Sequence, residues 1–74
     1  MHTVIKGTKT IAEYKEVQSK MEELATKAFE NHKNAFREWK EGEIEKVWFD
    51  SEHNLCIEYQ SGNWWHYNNQ GEWW

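Results

Sequence analysis

The pattern of apolar positions along the chain changes its period once, at Gly42. Before Gly42, apolar side chains recur at steps of three and four, which places them on one stripe of an α-helix. Thr10 followed by Glu13 is typical of a capping box at a helix start, and glycine is a common helix stop. The pattern therefore predicts one helix over residues 10–41. Its stripe consists of Ile11, Tyr14, Val17, Met21, Leu24, Ala25, Ala28, His32, Ala35, Phe36 and Trp39.

After Gly42, apolar and polar side chains alternate with a period of two, as they do in half-buried β-strands. The alternation predicts antiparallel strands at residues 43–50, 55–60 and 63–68. The last residues, 72–74, are a candidate short fourth strand.

Turn chemistry fixes the register of these strands. The loop Gln60–Gly62 suits a three-residue hairpin with glycine in the left-handed conformation, and it pairs Ile57 with Trp65. Pairing Asp50 with Asn54 aligns the first two strands in the same way. The face directed at the helix then holds Val47, Phe49, Leu55, Ile57, Tyr59, Trp65 and Tyr67. The opposite face, which we call the outer face, holds Lys46, Trp48, Cys56, Glu58, Trp64 and His66.

These elements predict one α+β domain over residues 1–74, in which a long N-terminal helix packs on a three- to four-stranded antiparallel β-meander. A chain of 74 residues with one cysteine forms no internal disulfide. Packing of large side chains must therefore hold the domain together, since so small a core is near the limit of independent stability.

The predicted helix is longer than the sheet that follows it. Residues 10–41 would span about 48 Å, whereas a six-residue strand spans about 20 Å. Either the helix is unbroken and overhangs the sheet, or it breaks at Asn31–Asn34 and forms a monomeric helical hairpin. We favour the unbroken helix, whose overhang predicts a homodimer with antiparallel helices. The predicted dimer interface consists of Ile11, Tyr14, Val17, Met21 and Leu24.

Charge is concentrated in the second half of the chain, and the whole chain has a formal net charge of −4. Residues 43–74 contain six acidic side chains, and Lys46 is their only lysine or arginine. This balance argues against direct binding of nucleic acid. It suits a basic protein partner, including one whose usual ligand is nucleic acid, although mild acidity also serves solubility alone.

The sequence also bears on location. No run approaches the roughly 18 apolar residues needed to cross a bilayer, and the first ten residues lack the features of a signal peptide. Together with the free cysteine, this predicts a cytoplasmic protein without a membrane partner.

Tryptophans on the outer face are the strongest functional signal, because exposed aromatic clusters often mark contact surfaces. The alternative is that residues 72–74 fold back and bury these rings in a second small core. The predicted partner-binding residues are Trp48, Trp64, His66, Trp73 and Trp74, with Glu43, Glu45, Glu58 and Glu72 as steering charges.

Cysteine and histidine suggest other chemistry on the same face. Cys56 lies opposite His66, but no motif supplies an oxyanion hole or a group that orients the histidine, so a small buried hydrophobe is favoured over a nucleophile. His53 with Cys56 and His66 offers three zinc ligands without the paired spacing of structural sites. We therefore predict no catalytic residue, metal or cofactor, and a protein that is not an enzyme.

The run WWHYNNQGEW resembles the choline-binding repeats of bacterial cell-wall proteins, with aromatic residues, asparagine and glycine in similar order. This resemblance implies carbohydrate or cell-wall binding. In size and acidity, the whole chain resembles small orphan proteins of bacteriophages and mobile elements, among them anti-CRISPR inhibitors. That second resemblance implies an inhibitor that occupies a basic nucleic-acid-binding surface.

Overall fold

The computed structural model describes residues 1–5 and 10–74, which contain one helix and one four-stranded sheet. The elements are β1 (His2–Thr3), α1 (Ile11–Asn34), β2 (Ile44–Phe49), β3 (Leu55–Tyr59) and β4 (Trp64–Tyr67). The strands lie in the order β1-β2-β3-β4, with β1 parallel to β2 and the other pairs antiparallel. The predicted α+β class is confirmed, and the parallel pair is an addition to the predicted meander.

The predicted register of the three main strands is confirmed. Ile57 pairs with Val47 on one side and with Trp65 on the other. Gly62 takes a φ of +93°, and its N–H donates to the carbonyl oxygen of Tyr59 at 2.9 Å, which closes the three-residue hairpin. Each strand is shorter than predicted by one or two residues, because its ends give way to turns and to a bulge in β2.

The helix ends at Asn34 and not at residue 41, so the prediction of an unbroken helix over 10–41 is wrong. The N–H of Ala35 turns back to the carbonyl of His32, which closes the last turn within the segment of poor helix formers. Gly42, at φ +80°, begins the approach to β2 and does not cap the helix. The alternative of a break at Asn31–Asn34 is confirmed, but the predicted helical hairpin is wrong, since no second helix follows Asn34 in residues 35–74.

Packing of Trp39 explains the early helix end. The irregular segment after α1 turns back, and it brings the Trp39 ring to 5.7 Å from Phe29 and 5.1 Å from Tyr59, between ring centroids. The indole N–H donates to the carbonyl oxygen of Gly42 at 2.8 Å. A straight helix would carry Trp39 away from the sheet, so burial of this large ring favours the turn.

The core lies between the C-terminal half of α1 and the inner face of the sheet. Its buried hydrophobic members are Met21, Ala25, Val47, Leu55, Ile57, Tyr59 and Tyr67. Six of the seven residues predicted for the helix-facing sheet face are buried or half-buried. The exception is Phe49, whose side chain is 43% exposed.

The N-terminal half of the helix overhangs the sheet, as the sequence predicts. From Ile11 to Lys20 every residue is exposed except Gln18, which is half-buried. Met21, in contrast, is 1% exposed and belongs to the core, so its assignment to a dimer interface is wrong. Within the described part of the chain, no helix is both long enough and apolar enough to cross a bilayer.

Candidate binding surface on the outer sheet face

Aromatic rings form a continuous row on the outer face. The cross-strand pairs place Cys56 between Trp48 and His66. The Trp64 ring lies 5.4 Å from Trp48 and 4.9 Å from His66, between centroids. The ammonium of Lys46 sits 5.3 Å from the centre of the Trp48 ring, a cation–π distance. The sequence prediction that these side chains share one face is therefore correct.

Trp74 extends this row. Backbone hydrogen bonds of 2.9 and 3.2 Å join His66 and Trp74, so the end of the chain lies antiparallel to β4. The Trp74 ring stacks on the His66 ring with centroids 5.0 Å apart and planes 2° apart. The candidate fourth strand is thus a short bridge. We call Trp48, Trp64, His66 and Trp74 the aromatic row.

Trp73, the neighbour of Trp74, does not join the aromatic row. It forms a bridge with Tyr67, and its ring lies on the helix side of the sheet, 4.5 Å from the His32 ring. The sequence predicts that Trp73 or Trp74 accompanies the outer rings, and the alternation of strand side chains selects Trp74.

The aromatic row is both a small core and an exposed surface. Cys56, beneath the rings, is 0% exposed, so the centre of this face is covered. Trp64 and Trp74 are nevertheless 50% and 54% exposed. Residues 72–74 therefore fold back onto His66 without burying Trp64 in a second core, and two half-exposed indoles lie above a buried cysteine.

The predicted steering charges are spread over two regions. Glu58 lies on the outer face, paired with Lys46 on one side and Trp64 on the other. Glu43 and Glu45 lie near the start of β2, at the hairpin end of the sheet, and Glu45 is exposed. Glu72 lies apart from them and lines a groove on the helix side.

Asp50 is an outer-face residue that the sequence did not single out. Its Oδ1 accepts the backbone N–H groups of Glu52 and Asn54, each at 2.9 Å, and its Oδ2 lies 3.8 Å from Nε2 of His66. Hydrogen bonds from Asn54 lower the pKa of the Asp50 carboxyl. The sequence did contain a signal for the position of Asp50: the register that pairs Asp50 with Asn54 places this turn beside the aromatic row.

The Cys56 thiol has the environment of a buried group. Burial and the nearby Asp50 carboxylate raise its pKa to about 11. The thiol is therefore protonated near neutral pH, which is the opposite of an activated nucleophile. This supports the interpretation that the cysteine is not catalytic.

The helix side of the sheet holds a buried polar network that the sequence pattern did not indicate. Nδ1 of His32 lies 2.6 Å from the Tyr67 hydroxyl, which lies 2.6 Å from the Tyr59 hydroxyl. Burial lowers the pKa of His32, raises the pKa of Tyr59 to about 12 and raises that of Tyr67. The six aromatic rings around His32 are Phe36, Trp39, Tyr59, Trp65, Tyr67 and Trp73. At 1% exposure, His32 is a structural residue. Its position in the apolar stripe of the helix was the sequence feature that indicated its burial.

A groove of ≈ 660 Å³ opens on the helix side, between α1 and the loops at one end of the sheet. Leu24 and Lys27 of the helix line one wall, and Phe49, Glu72 and Trp73 line the other. It accounts for the exposure of Phe49, and it lies on the opposite side of the sheet from the aromatic row.

Comparisons of the chain with protein-family models, with curated proteins and with solved structures give no match. The resemblances to choline-binding repeats and to phage-encoded inhibitors therefore stay predictions.

Proposed function

We propose that this protein is a non-catalytic binding protein whose outer sheet face contacts a positively charged protein partner. The observation that carries this proposal is the half-exposed pair Trp64 and Trp74, held on either side of His66 by ring contacts. Rigid, partly exposed tryptophans lose little conformational freedom on binding and are the residues most enriched at interface hot spots.

Charge on and near this face favours a basic partner. Glu58 lies within the face, and Glu43 and Glu45 lie nearby, on a chain whose net charge is −4. Complementary charge accelerates association and selects among partners. Proteins with basic nucleic-acid-binding surfaces offer this complement, and occupation of such a surface would inhibit them.

Affinity capture with matched variants tests the proposal. We expect the wild-type protein, immobilised, to retain a protein with a basic surface from a lysate, and Trp64→Ala to lose it. Phe49→Ala is the control, because Phe49 is also a half-exposed aromatic residue but lies on the helix side. Retention by Trp64→Ala and loss by Phe49→Ala would place the contact surface on the other side of the sheet.

Salt dependence tests the charge argument. We expect association with the captured partner to slow as ionic strength rises from about 0.01 M to 0.15 M, since the Debye length falls from roughly 30 to 8 Å. Glu58→Gln should slow association more than Glu23→Gln, which removes the same charge from the exposed helix surface. Salt-independent retention on a polysaccharide or choline column would instead support carbohydrate binding.

The exposed half of the helix favours a second candidate, a structural homo-oligomer. Ile11 is 77% exposed, and Tyr14, Val17 and Leu24 are each at least 36% exposed. Their spacings of three, three and seven residues place them on one side of the helix, as a helix–helix contact requires. A second copy in the antiparallel orientation would cover them.

Analytical ultracentrifugation checks this second candidate. We expect a dimer at micromolar concentration that Val17→Glu dissociates, because a carboxylate would be placed in the apolar contact. Ser19→Glu adds the same charge at a neighbouring exposed position outside the apolar stripe and should leave the dimer intact. A wild-type protein that sediments as a monomer contradicts the dimer.

A further inference from the structure

Three different metal-binding side chains converge beneath the aromatic row. Asp50, Cys56 and His66 each offer one ligand atom, and these three atoms lie within 4.8 Å of one another. We propose that they form a binding site for a divalent transition metal of zinc type. The site lies in the turn after β2 and in the adjacent strands β3 and β4, so the sheet itself positions the ligands.

The distances fit a site that closes by small side-chain movements. The Asp50 Oδ2 and the His66 Nε2 are 3.8 Å apart. In a tetrahedral zinc site, with bonds of about 2.0–2.3 Å, neighbouring ligand atoms are separated by roughly 3.3–3.6 Å. Side-chain rotations that move the carboxylate oxygen and the imidazole nitrogen by a few tenths of an ångström to about 1 Å would therefore bring the ligand atoms to the spacing of a tetrahedral zinc site.

The hydrogen bonds of His66 orient it as a ligand. Its Nδ1 lies 3.3 Å from the carbonyl oxygen of Trp74, which can only accept, so Nδ1 carries the proton. This contact leaves Nε2 directed at the Asp50 carboxylate, 3.8 Å from Oδ2. A backbone carbonyl on the other ring nitrogen is the usual arrangement of a metal-binding histidine.

The carboxylate is fixed in the same way. Oδ1 of Asp50 is held by the two backbone N–H groups of the turn, and the side-chain amide of Asn54 donates to Oδ2 at 3.2 Å. These contacts hold the plane of the carboxylate and keep Oδ2 directed towards His66.

A proton on His66 would also satisfy the carboxylate, as a simple ion pair. The two possibilities differ at the cysteine, because a proton bridges one pair of atoms whereas a metal ion would bind all three. The thiol would release its proton to solvent when the metal–sulfur bond forms. Sulfur and imidazole ligands select zinc-type metals over magnesium and calcium, and three protein ligands leave a fourth position for water.

This site differs from the zinc site that the sequence suggested. His53, a ligand in the zinc site that was weighed from the sequence and not favoured, is exposed in the turn with a φ of +66° and does not belong to the cluster. Asp50 takes its place. Because His53→Asn preserves a residue that tolerates positive φ, it provides a matched control.

Titration of the full chain with Co²⁺ under reducing conditions tests the proposal. We expect saturation at one ion per chain, a thiolate-to-cobalt absorption band in the near ultraviolet, and displacement by Zn²⁺. Cys56→Ser should abolish the band and weaken binding more than tenfold, and Asp50→Asn and His66→Gln should each weaken it more than tenfold. His53→Asn should bind as the wild type does.

Circular dichroism first confirms that each variant is folded. Thermal unfolding is the second measurement, because a metal that binds the folded state raises the melting temperature. Zn²⁺ should raise it for the wild type and for His53→Asn but not for Cys56→Ser. Absence of saturable binding, or a Cys56→Ser variant that binds as the wild type does, would overturn the site. Neither assay needs a protein partner, so its outcome is independent of the proposed function.

Discussion

Replacement of Trp65 by alanine is expected to lower the free energy of unfolding by about 3–5 kcal/mol, whereas replacement of its neighbour Trp64 lowers it by about 0.5–1.5 kcal/mol. The Trp65 ring lies on the helix side, 5.0 Å from His32 and 5.8 Å from Tyr59, between centroids. Its removal opens a cavity in the core. Trp64 lies on the outer face, half in water, and its loss removes mainly ring contacts with Trp48 and His66.

Urea or thermal unfolding of both variants measures this difference. Because small domains have total stabilities of about 5–15 kcal/mol, Trp65→Ala is expected to be largely unfolded near physiological temperature. Trp64→Ala should unfold cooperatively with nearly the wild-type denaturant dependence. Equal losses for the two variants would contradict the assignment of their side chains to opposite faces.

Acidification below pH 6.5 is expected to destabilise the protein through His32. Burial holds the pKa of the folded-state imidazole below its usual value of 6.5, and the Glu41 carboxylate opposes this shift only in part. Below pH 6.5 the unfolded chain therefore binds a proton more readily than the folded chain. Stability is present above pH 6.5 and is lost as the pH falls towards the folded-state pKa, by at most about 1.4 kcal/mol per pH unit.

The free energy of unfolding at a series of pH values measures this dependence. His32→Gln should flatten the curve in this window, because glutamine does not titrate, and His53→Asn is the control at an exposed histidine. Protonation of the Glu41 and Asp50 carboxyls changes the free energy of unfolding only at lower pH, since their pKa values lie below the usual 4.5 and 3.8. An identical slope in the wild type and in His32→Gln would assign the acid sensitivity to other groups.

Local chemistry explains why the sheet was predictable. Alternation of side chains determines which face each residue occupies, and Gly62 determines the hairpin that aligns β3 with β4. These two local rules are enough to place Trp64 and Trp65 on opposite faces of the sheet. The same logic placed Trp48 and His66 in one row, so most of the candidate surface was available from the sequence.

Contacts distant in sequence explain what was not predictable. The apolar stripe continues in phase past Asn34, so periodicity predicts a longer helix. The end is decided by Trp39, which gains more contact by turning onto Phe29 and Tyr59 than by extending the helix. Likewise, the sequence offers residues 2–6 as a candidate edge strand, but local pattern does not determine that His2–Thr3 pairs parallel to β2.

The candidate metal ligands illustrate the same limit. Cys56 and His66 were paired by register, whereas Asp50 lies in the turn after β2, outside the strands. Side-chain direction in a turn depends on backbone angles, such as the positive φ of His53, that composition does not determine.

The consecutive tryptophans at positions 73 and 74 straddle the edge of the sheet, one ring on His32 and the other on His66. A molecule that binds Trp74 is therefore separated by a single peptide unit from Trp73, whose ring belongs to the aromatic cluster around His32. Binding of a ligand on the outer face should therefore change the packing of the Trp73 ring against His32 on the helix side. The imidazole protons of His32, which are shielded from solvent, would then serve as an internal NMR reporter of events on the far side of the sheet.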